Sequence, residues 1–146
     1  MSNWNTLIVD VADRVAVVTL NRPPVNAQNA EMRDELTALF DELSDRDDVM
    51  AVVLTGSGKV FSAGADIRER PNLGDTPGAY GRHNRLVRES YYAVVECSKP
   101  VIAAINGPAM GAGFQPSTAP KRRCSRRPRR PRFRSRHRSP QRARSR

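Results

Sequence analysis

Apolar residues fall into two short continuous runs over the first twenty positions and then recur at helical spacing. Thr6 to Val11 and Val15 to Leu20 are rich in Val, Ile and Leu. Ala12-Asp13-Arg14 between them suits a hairpin turn, so the two runs predict paired strands. Their apolar continuity predicts burial on both faces. Asn21-Arg22-Pro23-Pro24 then breaks the pairing, because proline has no amide to give to a ladder. From Ala30 to about Ser44, Met32, Leu36, Leu39, Phe40 and Leu43 recur at the period of one helix face, with Asn29 placed to cap the first turn. That pattern predicts an amphipathic helix.

Val49 to Thr55 predicts a third strand, followed by Gly56-Ser57-Gly58-Lys59 and a loop running to Asp66. Pro71 to Gly78 is turn-rich. A second helix is predicted over Ala79 to Cys97, with Leu86, Tyr91, Val94 and Val95 among its buried candidates and a stop near Lys99-Pro100. Val101 to Ile105 predicts a fourth strand. It leads into Asn106 to Gly113, whose glycines permit a tight turn with outward-pointing amides.

Composition divides the chain near Gln115. Residues 1–120 hold 11 Lys and Arg against 15 Asp and Glu, whereas 121–146 hold 14 Lys and Arg and no acid. The overall charge of +10 therefore describes neither part; the last 26 residues alone carry +14, which suits a polyanion partner. Residues 116–146 contain 13 arginines and 5 prolines but no Leu, Ile or Val, too little apolar surface to offset the entropy of ordering. The expectation is a globular portion over 1–115 and a disordered, basic, low-complexity tail over 116–146. The break falls inside a Gly-Ala-Gly-Phe-Gln run rather than at a linker, and GC-rich DNA read out of frame yields Arg, Pro and Ser. A frameshift or truncation product is the expected origin. No 18-residue apolar run predicts a transmembrane helix, and with the polar start a soluble, cytoplasmic chain is the expectation. Cys97 and Cys124 have no metal-ligand spacing, so no metal is expected and both thiols are expected reduced.

Two small-residue loops, each directly after a strand, carry the candidate chemistry: Phe61 to Asp66, and Asn106 to Gly113. Small side chains leave backbone amides uncovered, and one amide from each loop can converge on a developing oxyanion if the strands are neighbours. Tight turns alone are the commoner reading of such loops. Other motifs fail mechanically. Gly56-Ser57-Gly58-Lys59 resembles the end of a phosphate-binding loop, but Val53 and Val60 stand where a glycine and a Ser or Thr belong. The Gly107 to Gly113 spacing does not match a dinucleotide fingerprint. Ser62 lacks a nucleophile elbow, and His83 falls in the polar start of a helix, where a solvated ring is expected.

Several separated stretches resemble the crotonase family of enoyl-CoA hydratases and isomerases, in the family's order and about its spacing. They are Asn21-Arg22-Pro23 with Asn26-Ala27, Val52 to Gly56, Phe61-Ser62-Ala63-Gly64-Ala65-Asp66-Ile67, and Lys99 to Gly107 with Gly111-Ala112-Gly113. The resemblance spans residues 5 to 115. It implies an α/β fold, a crotonase-type spiral of strand-strand-helix units, here incomplete. It implies an acyl-CoA thioester as substrate, no further cofactor, and trimeric or hexameric assembly.

Carried over by position, the resemblance makes Ala65 and Ala112 the two oxyanion amides, and lays Ala63, Gly64, Asp66, Ile67 and Gly111 along the coenzyme A moiety. Gln115 stands where hydratases of the family carry a glutamate. A second glutamate would fall near Ser135, in a stretch with no carboxylate. Gln115 can hydrogen-bond a water but cannot take its proton. The implied function is acyl-CoA processing by enolate stabilisation, truncated and inactive as given. The alternative is a nucleic-acid or polyanion-binding protein acting through the arginine-rich tail.

Overall fold

The computed structural model describes residues 4–69, 78–111 and the backbone of 122–125. The turn-rich stretch before Gly78, Ala112, Gln115 and the rest of the basic tail lie outside the described residues.

The first two runs form the expected hairpin: β1 (Leu7–Ala12) pairs antiparallel with β2 (Val15–Leu20), with Ala12 opposite Val15. The two-residue turn holds Asp13 and Arg14 at φ of 49° and 64°. Left-handed geometry at both central positions gives a hairpin turn the twist of the flanking strands. Burial on both faces is corrected for this hairpin. β1 is an edge strand that buries only Leu7 and leaves Ile8 and Asp10 exposed. In β2, Ala16, Val18 and Leu20 are fully buried while Val15, Val17 and Thr19 are half-buried. Helices cover one face of this sheet, so the period-two alternation of a one-sided core applies.

Helix α1 (Ala30–Asp45) follows, capped as expected by Asn29, whose Oδ1 accepts the Met32 amide at 3.0 Å. Its Met32, Leu36, Leu39, Phe40 and Leu43 are all buried. At about 1.5–3 kcal/mol for each large apolar side chain removed from water, this stripe is a main source of the fold's stability. β4 (Ala51–Gly56) lies parallel to β2, and β6 (Val101–Ile105) parallel to β4. The connection from β4 to β6 passes through α2 (Ala79–Glu96), which packs against α1.

In α2 only part of the expected stripe is buried. Val94 is in the core and Tyr91 half-buried, but Leu86 and Val95 are 47% and 42% exposed. Its fully buried residues, Ser90 and Val94, lie four residues apart on one helix face. The sequence pattern predicts no element after Gln115. Residues 122–125 nevertheless form β7 (Arg122–Ser125), parallel to β6, because ladder hydrogen bonds come from the backbone whatever the side chains. The sheet order is β1-β2-β4-β6-β7.

Two further strands of two residues each, β3 (Ala27–Gln28) and β5 (Gly64–Ala65), make a separate parallel pair beside the ends of β2 and β4. No helix among the described residues is long and apolar enough to cross a membrane.

Candidate active site

The loop after β4 is fixed from three directions. Phe61 is fully buried in the core. Asn26, also fully buried, donates from Nδ2 to the carbonyls of Ser57 at 3.0 Å, Val60 at 2.8 Å and Phe61 at 3.3 Å. Its Oδ1 accepts the Arg22 amide at 3.0 Å and the Ser57 hydroxyl at 3.1 Å. Asn26 has φ of 51°, a conformation asparagine tolerates better than most residues. Ser62 adds a link, its Oγ donating to the Asn26 carbonyl at 2.8 Å and accepting the Gly64 amide at 3.2 Å. That hydroxyl is committed to holding the loop, in keeping with the absence of a nucleophile elbow.

The loop after β6 lies directly against this one. The amides of Phe61 and Ser62 donate to the Pro108 carbonyl at 3.0 and 3.3 Å, and the Met110 amide returns a bond to the Ser62 carbonyl at 2.9 Å. Asn106 ties the same regions together, its Oδ1 accepting the Gly56 amide at 3.1 Å and its Nδ2 donating to the Gly58 carbonyl at 2.9 Å. Contact is so close that a Cβ on Gly107 would stand 1.9 Å from the Lys59 carbonyl oxygen. The two loops are neighbours in space, as convergence of their amides requires.

The direction of the Ala65 amide follows from the β3 pairing. Ala63 donates to the Val25 carbonyl and Asp66 to the Gln28 carbonyl, both at 2.9 Å. Regular strands turn consecutive amides to opposite sides, so two residues three apart cannot both face one neighbour. Gly64, at φ of 91°, absorbs the extra residue. Ala65, between Gly64 and Asp66, is thereby left with its N–H directed away from β3 on an exposed segment.

The other expected contacts are distributed unevenly. Ala63 is half-buried with its amide committed, Gly64 is buried, and Ile67 is 75% exposed. Gly111 is exposed at φ of 51°. Ala112 and Gln115 lie outside the described residues. The Asp66 carboxylate is buried between two guanidiniums, with Arg22 Nη1 and Arg68 Nη2 each 2.8 Å from Oδ2. The Arg68 side chain, helped by the Arg68 amide and Arg22, holds this carboxyl well below the usual carboxylate range despite its burial. Its charge therefore anchors the turn after β5, with Arg22 bridging on to the Ala27 carbonyl at 2.9 Å.

A second group was not anticipated from sequence. Arg33 is buried, donating from Nη1 to the Gln28 carbonyl at 3.0 Å and pairing through Nη2 with Glu69 at 3.1 Å. Glu69 also accepts the Ala30 amide at 2.8 Å, serving the first turn of α1. Tyr91, facing the same region, has its phenol pushed up to about 12 by burial, with the Arg33 charge acting in the opposite direction. His83, expected in solvent, is half-buried beside these groups. The available signal was an arginine within the apolar stripe of α1, between Met32 and Leu36. Cys97 is a buried free thiol that accepts the Ser44 hydroxyl at 3.4 Å.

Comparison with known proteins gives the family and the fold. The model of the enoyl-CoA hydratase/isomerase family matches residues 10–119. A short-chain-enoyl-CoA hydratase of Clostridium acetobutylicum is 39% identical over 113 residues, covering 76% of this chain and 42% of that protein. Among solved structures, an enoyl-CoA hydratase from Bacillus anthracis superposes with a TM-score of 0.75 at 31% identity, covering 83% of this chain and 47% of the other. An enoyl-CoA hydratase/isomerase from Xanthobacter autotrophicus gives 0.79 at 27% identity, covering 84% and 46%. The chain thus spans under half the length of each of these three relatives, and over that span its mixed α/β architecture is the crotonase fold. The chain belongs to the enoyl-CoA hydratase/isomerase family.

Proposed function

We propose that the chain binds an acyl-CoA thioester and polarises its carbonyl between the amides of Ala65 and Ala112, the chemistry of a 2-enoyl-CoA hydratase or isomerase. The observation that carries this reading is the hydrogen-bonded contact of the two loops, with the Ala65 N–H turned away from its own strand pair. Each such donor contributes on the order of 10²–10³ in rate when aimed at a developing oxyanion. The exposed Ile67 and Gly111 beside these amides suit the coenzyme A moiety.

Hydration also needs a group that removes a proton from water, worth roughly 10²–10⁴. Gln115 is a neutral amide and supplies none, so the chain as given binds and polarises without hydrating. A conjugated enoyl thioester, cinnamoyl-CoA, should show a red-shifted absorbance on binding, and Ala65→Pro, which deletes the amide, should abolish the shift. No loss of enoyl absorbance should exceed that of a heat-treated control. A red shift unchanged in Ala65→Pro would remove Ala65 from the oxyanion role.

The basic segment favours a second reading. Fourteen Lys and Arg within 121–146 suit counterion-release binding to polyanions. Retention on heparin that does not weaken between low and physiological salt would count against it.

A further inference from the structure

Two hydrogen bonds bracket the Ala65 amide. Before it, the Ala63 amide donates to the Val25 carbonyl; after it, the Asp66 amide donates to the Gln28 carbonyl, both at 2.9 Å. The first bond lies within the network of the buried Asn26 and Ser62, which hold the loop after β4. The second closes a pair of strands of two residues each, too short to hold its own register.

That second carbonyl has another donor. Arg33 Nη1 donates to the same Gln28 oxygen at 3.0 Å, so two donors share the two lone pairs of one carbonyl. Arg33 Nη2 meets Glu69 Oε2 at 3.1 Å. Glu69 in turn donates its amide to the Asp66 carbonyl at 3.2 Å, while its Oε1 accepts the Ala30 amide at 2.8 Å. These contacts close a ring, from the Gln28 carbonyl through Arg33 and Glu69 to Asp66, and back through the Asp66 amide to Gln28. Rotating the Ala65–Asp66 peptide would break the ring at Gln28, and that peptide adjoins the one carrying the Ala65 N–H.

Stability is a poor reason for this arginine. Its side chain is 4% exposed and falls within the buried stripe of α1, between Met32 and Leu36 in sequence. A buried ion pair loses much of its attraction to desolvation, and apolar residues of similar volume in its place are often neutral or stabilising. A methionine would fill the position without that penalty. What a methionine lacks is a donor for Gln28.

We propose that Arg33 is a positioning residue for the oxyanion site: by holding the Gln28 carbonyl and Glu69 together, it fixes the turn at Asp66 and with it the aim of the Ala65 N–H. This inference rests on the acyl-CoA reading above. A donor turned away from its acceptor loses strength steeply, so a modest rotation of this amide weakens polarisation of a bound thioester carbonyl.

The test measures the absorbance shift of cinnamoyl-CoA on the full chain at saturation, where a change in affinity does not enter, beside the urea midpoint of each variant. The double variant Arg33→Met, Glu69→Gln removes both charges and keeps an acceptor for the Ala30 amide. Its midpoint should match or exceed the parent's, while the shift falls below about half. Arg33→Lys keeps the charge but presents one nitrogen where the guanidinium uses two, and its shift should lie between those of the parent and the double variant. A merely structural arginine predicts the reverse, a lower midpoint with the shift intact. The full parental shift in the double variant, or in Arg33→Lys should the double variant not unfold cooperatively, overturns the inference and leaves the acyl-CoA reading standing. Loss of cooperative unfolding in both variants overturns it too, since Arg33 would then be a stability residue. Absence of any shift in the parent defeats the acyl-CoA reading itself, and the inference with it.

Discussion

Helices α1 and α2 have similar lengths, 16 and 18 residues, and both alternate apolar and polar positions at helical spacing. They occupy the fold in different ways. α1 buries five large apolar side chains, is capped by Asn29 and has its first amide met by Glu69. α2 buries Ser90 and Val94, starts from a glycine without a side-chain cap, and exposes Tyr80, Leu86, Tyr92 and Val95. An amphipathic pattern declares that a helix has an apolar face and is silent about what meets it. For α1 the sheet lies underneath, and nearly the whole stripe is consumed. For α2 only Ser90 and Val94 are fully buried, Tyr91 and Ala93 are half-buried, and Tyr80, Leu86, Tyr92 and Val95 face outward.

The sharpest way to break this contrast is to truncate the centre of each stripe. Phe40→Ala should cost about 3–5 kcal/mol, the range for removing a buried aromatic and leaving a cavity. That is a large fraction of the stability of a small domain. Loss of a cooperative urea transition would be the expected outcome. If Phe40→Ala leaves the midpoint unchanged, α1 is not the anchor described here.

Asn26→Ala ranks second. It removes the donor to three carbonyls and places alanine at a left-handed φ, for a total of about 3 kcal/mol. The damage should be local to the 57–66 loop, visible as faster amide exchange there while α1 stays protected. Uniform loss of protection would show that the loop and helix are a single cooperative unit.

Smaller again is the contribution of the Asp66 carboxylate, which sharpens the comparison through pH. Its folded value is depressed by Arg68, the Arg68 amide and Arg22. A depressed carboxylate contributes stability fully above its unfolded value, about 3.9, and that contribution is lost as pH falls through the folded value. Asp66→Asn should therefore be less stable than the parent near neutral pH and converge with it in strong acid. Urea midpoints measured from pH 6 down to pH 2 check this, and parallel curves would refute it. Asn29→Ala should cost about 1 kcal/mol through the lost cap, read as a lower urea midpoint. No change would mean that Glu69 alone sustains the first turn of α1.

The elements legible in sequence are those long enough to show a period. The hairpin, α1, β4, α2 and β6 follow from apolar spacing, with ends displaced by a residue or two where capping geometry decides the boundary. β3 and β5 are too short to have any period. Their pairing depends on Asn26, whose role is invisible until its amide is seen reaching residues more than thirty positions away. The candidate role of the Ala65 amide is implied by resemblance, but the direction of its N–H depends on the kink at Gly64. Arg33, Glu69, Arg82 and His83 come together only because α1 and α2 pack side by side. Single-sequence patterns carry no information about which helix faces which.

The smallest expected effect falls on the outward side of α2 and tests the contrast most directly. Val95 is 42% exposed and Tyr92 50%, and neither belongs to the buried core. Substitutions at such positions usually change stability by less than about 0.5 kcal/mol in either direction. Lysine is a good helix former, so Val95→Lys replaces a β-branched residue with one that loses less rotamer freedom in a helix. The propensity gain and the small loss of residual packing should nearly cancel. Urea unfolding of Val95→Lys, at two protein concentrations tenfold apart, gives the measurement. Midpoints within error of the parent at both concentrations are expected if this face meets only water. A loss above about 1.5 kcal/mol would require a well-packed environment at Val95, since no exposed site has enough surface to lose that much. If that loss grew with protein concentration, a second copy of the chain would be covering the face, and the difference between the two helices would vanish on assembly.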